Sequence, residues 1–407
     1  MKIFKTIFPL VLVVALSFGL MGGCGGGGNG GGGGNGGGND GGNDGGGTNE
    51  TITLLIDASA GGVSAEPGDP ANKYTYLDLS AGDIVDLTDE QAQDSTNWDV
   101  AFKRSTVILN GGVSGPGAVS GFFTGNNSEA YDSNGDAVFD WFAAATADTE
   151  LEDFEIITSS DVPLDEEGNP DASVFTSDVP SLAIVGDGTS GGWWLYDFQT
   201  HEVSANPDSW WVIKTDTGEA YVKFHVTEIV YEITEQLFFV TVESVIQNAG
   251  ETSFMTPYTE TFTIPEGGGS VYVDYETTAL VPSSGGWDLR IGYDPATRLL
   301  SMYTNGGLSG TGSGGAFPIE NEPDAYTNGA DTSQIPFYFT DSAGGIFVDS
   351  IWYAYNLTGN DHQLWPNYRV YLIQAEGEVY KFQILSYYHP QTTESGWFTV
   401  RFEKVLP

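Results

Sequence analysis

Four histidines, one cysteine and two mid-chain methionines are the residues of this 407-residue chain best suited to hold a metal or a reactive group. His201 sits in a polar stretch beside Glu202, and His362 follows Asp361, so both are expected at the surface. A neutral imidazole is a common metal ligand, usually with its second nitrogen held by a carbonyl or carboxylate. A loop histidine that binds nothing fits the same two positions. His225 alternates with Phe224 and Val226 and is expected to face solvent from a strand. His389 precedes Pro390 in a turn. Met255 and Met302 can serve as soft ligands or as packing. Asp132, Asn134 and Asp136 place oxygens at alternate positions, as a calcium loop requires. The turn glycine is out of place for an EF-hand and no terminal Glu follows, so an acidic surface loop is the competing reading.

Aromatic residues gather around both loop histidines. Trp193, Trp194, Tyr196, Trp210 and Trp211 surround His201 in sequence, and Tyr353, Tyr355 and Trp365 surround His362. Aromatic faces can sandwich a flat macrocycle, stack on sugar rings or fill a β core. Patterns for catalysis are weak. Gly188-Thr-Ser190-Gly-Gly192 matches G-x-S-x-G, but the strand-like Trp193-Trp194-Leu-Tyr follows where a helix is needed. Gly310-Thr-Gly312-Ser-Gly-Gly315 matches G-x-G-x-x-G and opens no helix either. The chain is expected to be non-catalytic.

The first 23 residues have the form of an export signal. Lys2 and Lys5 form a basic head, an apolar run reaches Met21, and small residues precede Cys24. The run is short for a spanning helix. The segment resembles the lipobox of bacterial lipoproteins, in which the cysteine takes a diacylglyceryl group. Residues 24–48, almost all glycine, cannot offset their ordering entropy and read as a tether with a reach of about 25–30 Å. The formal charge of −43 becomes −45 once Lys2 and Lys5 leave with the signal. That charge excludes nucleic acid and repels an anionic membrane surface, so the lipid is the expected membrane contact. Localisation is expected at the outer membrane or cell surface.

The body reads as mostly β. Period-two runs at 220–226, 237–243, 368–373, 379–384 and 397–402 alternate with Asp-Gly, Asn-Gly and Gly-Gly turns. A short helix is expected within 140–154. An internal repeat organises these strands. Asn97-Trp98-Asp99 returns as Gly286-Trp287-Asp288, and Asn110-Gly-Gly returns as Asn305-Gly-Gly. Trp194, His201 and Asn206 align with Trp352, His362 and Asn367, and Leu237 to Val245 align with Trp397 to Val405. Two tandem domains are expected, at 49–265 and 266–407.

Each copy resembles the HmuY-type haem-binding lipoproteins. The resemblance rests on ordered blocks: Leu55-Ile-Asp-Ala-Ser59, Tyr76-Leu-Asp-Leu79, Asn97-Trp98-Asp99, Asn110-Gly-Gly, Gly191-Gly192-Trp193, Asp216-Thr-Gly218 and Lys223-Phe224. The second copy adds Lys381-Phe382-Gln-Ile-Leu-Ser-Tyr-Tyr388. It implies an antiparallel β fold, haem as the small-molecule partner and an outer-membrane receptor that accepts it. It also implies two axial ligands, histidine or methionine. One lies in a middle segment and one just after the Gly-Gly-Trp strand. His201 and His362 match the second position. Residues 124–189 and 318–350 contain no histidine or methionine for the first. The alternative is a surface module for carbohydrate or protein that has lost the haem ligands.

Overall fold

The computed structural model describes residues 50–60, 73–319 and 322–406. Cys24 and the tether lie outside the described residues. Two compact units are present. Unit 1 combines residues up to Asp178 with residues from Gly345 onward, and unit 2 is the continuous stretch Val179–Gly344.

Unit 1 begins with β1 (Ile52–Asp57), β2 (Thr75–Asp78), β3 (Asp83–Val85), α1 (Asp89–Ala92), β4 (Val100–Lys103), β5 (Thr106–Leu109) and β6 (Ser120–Phe123). Two short helices follow, α2 (Phe139–Ala144) and α3 (Leu151–Glu155), where one had been expected. Unit 2 then runs through β7 (Val179–Ser181), β8 (Trp194–Asp197), β9 (Glu202–Ala205), β10 (Trp210–Lys214), β11 (Tyr221–Glu232) and β12 (Leu237–Gln247). It continues with β13 (Thr256–Pro265), β14 (Gly269–Asp274), β15 (Ala279–Val281), β16 (Leu289–Asp294), β17 (Leu299–Thr304), β18 (Gly315–Ile319) and β19 (Ser342–Gly344). Unit 1 resumes with α4 (Ile346–Asp349), β20 (Tyr353–Tyr355), β21 (Leu364–Pro366), β22 (Val370–Ala375), β23 (Glu378–Tyr388) and β24 (Ser395–Leu406).

Both units repeat one plan. A five-stranded sheet runs β1-β24-β23-β22-β6 in unit 1 and β13-β12-β11-β10-β18 in unit 2. A four-stranded sheet runs β3-β2-β4-β5 in one and β15-β14-β16-β17 in the other. A hairpin completes each, β20-β21 and β8-β9. Every pairing within these sheets is antiparallel. The alternation in the sequence explains the layers. Along β11, Val222, Phe224 and Val226 are buried in the core that also takes Val273, Leu289 and Met302 from the four-stranded sheet. Along β23, Tyr380, Phe382 and Ile384 meet Leu77, Val100 and Phe102 in the same way. The opposite face of β22–β23 packs Val370, Leu372 and Val379 under Phe154, Ile157 and Phe175 of the helical segment.

The expected division at 265/266 is corrected by these pairings. Each repeat contributes its two halves to different units. The first half of copy one, β1–β6, pairs with the second half of copy two, β20–β24. The second half of copy one, β8–β13, pairs with β18 of copy two. Residue 265 ends a strand inside unit 2 and separates no domains. The strand alignment also shifts. Phe224 pairs with Ser244 and Phe382 pairs with Phe402, so Val242 corresponds to Val400 rather than to Phe402. A two-residue slip leaves every side chain on its own face, which is why the pattern alone did not fix it.

Polar side chains buried in both units pin loops to sheets. Asp99 accepts the Leu79 N–H at 2.8 Å, and its counterpart Asp288 accepts the Tyr275 N–H at 2.7 Å. Asn110 donates to the Trp98 carbonyl at 2.7 Å and accepts the Gly117 N–H at 3.0 Å. The glycine runs after Asn110 and Asn305 wrap these side chains. A Cβ at Gly310 would lie 2.0 Å from Asn305 Oδ1, so the G-x-G-x-x-G match is a packing motif.

Burial pushes the Asp99 carboxyl up to about 6 and that of Asp288 up to about 7. Between the ordinary carboxylate value and these, the folded chain binds more protons than the unfolded chain. The resulting stability is complete below the unfolded value and is lost as pH rises through about 6 to 7. Thermal midpoints recorded from about pH 5 to pH 8 should therefore fall, and Asp99→Asn should show a shallower fall. Parallel profiles would contradict this account. A second expectation concerns autonomy. Unit 2 is one continuous segment with its own core, so residues 179–344 alone should unfold cooperatively. A disordered circular-dichroism spectrum would refute it.

Candidate functional site

The two loop histidines occupy equivalent places, each at the end of a hairpin turn. In unit 2, β8 pairs with β9 from Trp194↔Ala205 to Asp197↔Glu202. The turn closes when the His201 N–H donates to the Asp197 carbonyl at 2.8 Å. Asp197 Oδ1 accepts the Gln199 and Thr200 N–H groups, which lowers the Asp197 pKa. In unit 1, β20 pairs with β21 from Tyr353↔Pro366 to Tyr355↔Leu364. There the His362 N–H donates to Asn356 Oδ1 at 3.1 Å. Both histidines hold left-handed backbone, with φ of 61° and 50°. That region is sparsely used by residues other than glycine and recurs at functional turns.

Each imidazole is held by a tyrosine on the same hairpin. Tyr196 Oη lies 2.8 Å from His201 Nδ1, and Tyr355 Oη lies 2.9 Å from His362 Nδ1. When Nδ1–H donates to the tyrosine oxygen, Nε2 keeps its lone pair for a metal. No described residue bonds Nε2 of either histidine. Both side chains are exposed. The arrangement can therefore supply one oriented imidazole ligand per hairpin. Phe198, 82% exposed, stands edge-on to Tyr196 with ring centroids 5.0 Å apart.

Asparagines fix the hairpin roots. Asn206 donates through Nδ2 to the carbonyls of Ser190 at 3.0 Å and Gly192 at 2.8 Å. Asn367 donates to the Ile351 carbonyl at 2.7 Å and to Tyr131 Oη at 3.0 Å. Their N–H groups meet the Trp193 and Trp352 carbonyls, so Trp193, not Trp194, is the counterpart of Trp352. Sequence reasoning had not singled out the tyrosines as partners of the histidines. The signal was present as a shared order, Trp-x-x-Tyr followed by His-x4-Asn, in both copies.

The other candidates are placed elsewhere. Trp193 and Trp194 are buried in the core of unit 2 and do not line an open pocket. Trp193, Trp194 and Trp211 leave buried indole N–H groups with no partner among the described residues. Tyr353 is half-buried against the unit 1 core, and burial pushes its hydroxyl up to about 12. Trp365 packs under α2 and donates to Asp361 Oδ2 at 3.1 Å. His225 is not a free surface residue. It stacks on Trp210 at 3.7 Å and donates through Nδ1 to the Pro207 carbonyl at 2.8 Å. His389 accepts the Gln391 and Thr392 N–H groups within its own turn. Met302 is core, and Met255 is exposed just before β13.

The calcium expectation is corrected. Asp132 Oδ1 accepts the N–H groups of Asn134 at 2.8 Å and Asp136 at 2.9 Å, and the Asp136 bond lowers its pKa most. No group of three or more His, Cys, Asp or Glu suited to a metal occurs among the described residues. No helix among them is long and apolar enough to cross a membrane.

A mostly-β chain of two similar antiparallel units, each with a Tyr–His hairpin, defines the class of protein. Residues 71–239 match the family described as HmuY protein. The matched stretch contains His201 and contributes to both units. No curated protein matches the chain. Among solved structures, a protein from Bacteroides vulgatus provisionally described as HmuY-like and haem-binding is 10% identical, with a TM-score of 0.29, over 88% of this chain and 93% of its own. A protein from Bacteroides fragilis provisionally described as a lipoprotein is 10% identical, with a TM-score of 0.27, over 86% and 89%.

Asn206→Ala should leave two carbonyls unpaired at the hairpin root. The expected loss is about 1–3 kcal/mol of stability, with faster hydrogen exchange over residues 190–206. Unchanged exchange there would show that Asn206 does not hold the hairpin.

Proposed function

We propose that this protein captures haem, or a related metalloporphyrin, at the outside of the cell and delivers it to an uptake receptor. The observation that carries this reading is His201. It lies inside the family-matched segment, it is exposed, and its Nδ1 is engaged by Tyr196. The family match supports the ligand class. The residues suit a single axial imidazole. His201 would hold the iron through Nε2, with Tyr196 fixing the ring through Nδ1.

The remaining parts of the proposal follow from the sequence. Cys24 carries the lipid, the glycine run spaces the body from the membrane, and the charge of the body keeps it off anionic surfaces. The protein acts as a binding module and not as an enzyme. The sugar-binding alternative loses support from Trp193 and Trp194, whose rings are buried and offer no face to a sugar.

Haemin added to the purified full chain should shift and sharpen its Soret band at micromolar concentration. Tyr196→Phe should weaken binding roughly tenfold or more, the usual effect of removing the partner that orients a ligating histidine. No Soret change in either oxidation state would sink the haem reading. An unchanged affinity in Tyr196→Phe would reject the Tyr–His pair as the ligand.

A further inference from the structure

Resting on that reading, we infer that the chain presents one porphyrin site rather than two: the β8–β9 hairpin of unit 2 is open to the ligand, and the matching hairpin of unit 1 is filled by the chain itself. The two hairpins have the same strands, the same Tyr–His pair and the same asparagine root. They differ in what covers them.

In unit 1 the segment between β6 and the end of the first stretch folds over the hairpin. Phe142 of α2 is buried with Ala130 and Ala354, and Trp141, Leu357 and Trp365 pack around it. Phe139 stands edge-on to Trp365 at 6.0 Å, and Tyr131 edge-on to Phe142 at 5.9 Å. Tyr131 Oη also accepts from Asn367 at the hairpin root, which ties the cover to the strands. A flat ligand would have to displace this cluster. Displacing a buried aromatic side chain opposes binding.

The corresponding segment of unit 2, between β18 and β19, is shorter and packs elsewhere. Its Ile335, Tyr326 and Tyr338 join Val212, Ile319 and Trp210 on the back of the five-stranded sheet. None of these three residues joins the hairpin. The consequence is visible residue by residue. Leu357, packed under α2, corresponds to Phe198, which is 82% exposed. Trp365 corresponds to Ser204, which is exposed. In unit 1 the Ala354–Trp365 face of the hairpin is met by the aromatic rings of α2, whereas Ser204 and Phe198 of the unit 2 hairpin are exposed, on the same hairpin as an imidazole whose Nε2 has no partner among the described residues. A planar aromatic ligand with a metal at its centre matches both features. Exposed apolar side chains at a turn otherwise lower solubility without adding to the core.

Titration of the full chain with haemin, followed by Soret absorbance, tests the inference. One equivalent should bind, and His201→Ala should remove the band or weaken binding at least tenfold. Hydrogen exchange of the same samples should show ligand-dependent protection over residues 194–205 and none over residues 353–366. Two equivalents, or protection over 353–366, would overturn the single-site inference while leaving haem capture standing. Absence of any band in the parent chain would overturn both.

Discussion

The pairing of β1 with β24 is the constraint on which the rest of unit 1 depends. Ile52 faces Phe402 and Asp57 faces Trp397, so the first and last described strands of the chain share one ladder. β6 is bound in the same way to β22, through Phe123↔Tyr371 and Ile373↔Gly121. Neither ladder can form until the end of the chain is available. Unit 2 has no such debt to distant sequence, because its five-stranded sheet is assembled from residues 210–319. Loop closure makes long-range pairing slow, so the continuous unit can close first and the interrupted one last. The crossing points are short ladder elements, with β7 paired to β19 just inside unit 2.

Exchange of halves between the two copies explains why the same polar pins recur in both units. A half contributed by one copy must recognise a half contributed by the other, and general hydrophobicity does not supply the register for that. The buried groups do. Asp178 accepts the Leu109 N–H at 2.9 Å in unit 1, and Asp341 accepts the Thr304 N–H at 3.2 Å in unit 2. Lys381 reaches the Ile157 carbonyl, and its counterpart Lys223 reaches the carbonyls of Pro323 and Tyr326. Each lysine fastens the variable segment of its unit to a central strand. A misregistered half would leave these buried groups unpaired, at about 1–3 kcal/mol each. The pins thus specify partners more than they add net stability.

Much of this was legible in the sequence, and the gaps have physical causes. Period-two runs gave the strands because one face of each is buried, as along Val222, Phe224 and Val226. The repeat gave the two hairpins and paired His201 with His362. Which halves associate was not legible, since strand pattern records a face and not a partner. The one-residue error at Trp193 and Trp194 arose because both rings are buried, so composition does not separate them. The tyrosine partners were hidden in an aromatic cluster whose tryptophans proved to be core. The helical cover of unit 1 was only partly visible, because α2 and α3 are too short to set a clear 3.6-residue period.

The two units share a hairpin plan and differ in the segment that packs beside it. The hairpin strands and their Tyr–His pairs are held by hydrogen bonds that depend little on what lies over them. The segment over them is free to lengthen, shorten or change its apolar residues, since Lys223 and Lys381 fasten it through backbone carbonyls and not through its side chains. A ring such as Phe142 buried over the hairpin adds stability to its unit. A tip such as Phe198, left in water, adds none. The two hairpins therefore share one plan and differ in whether the chain lays an aromatic cluster over them.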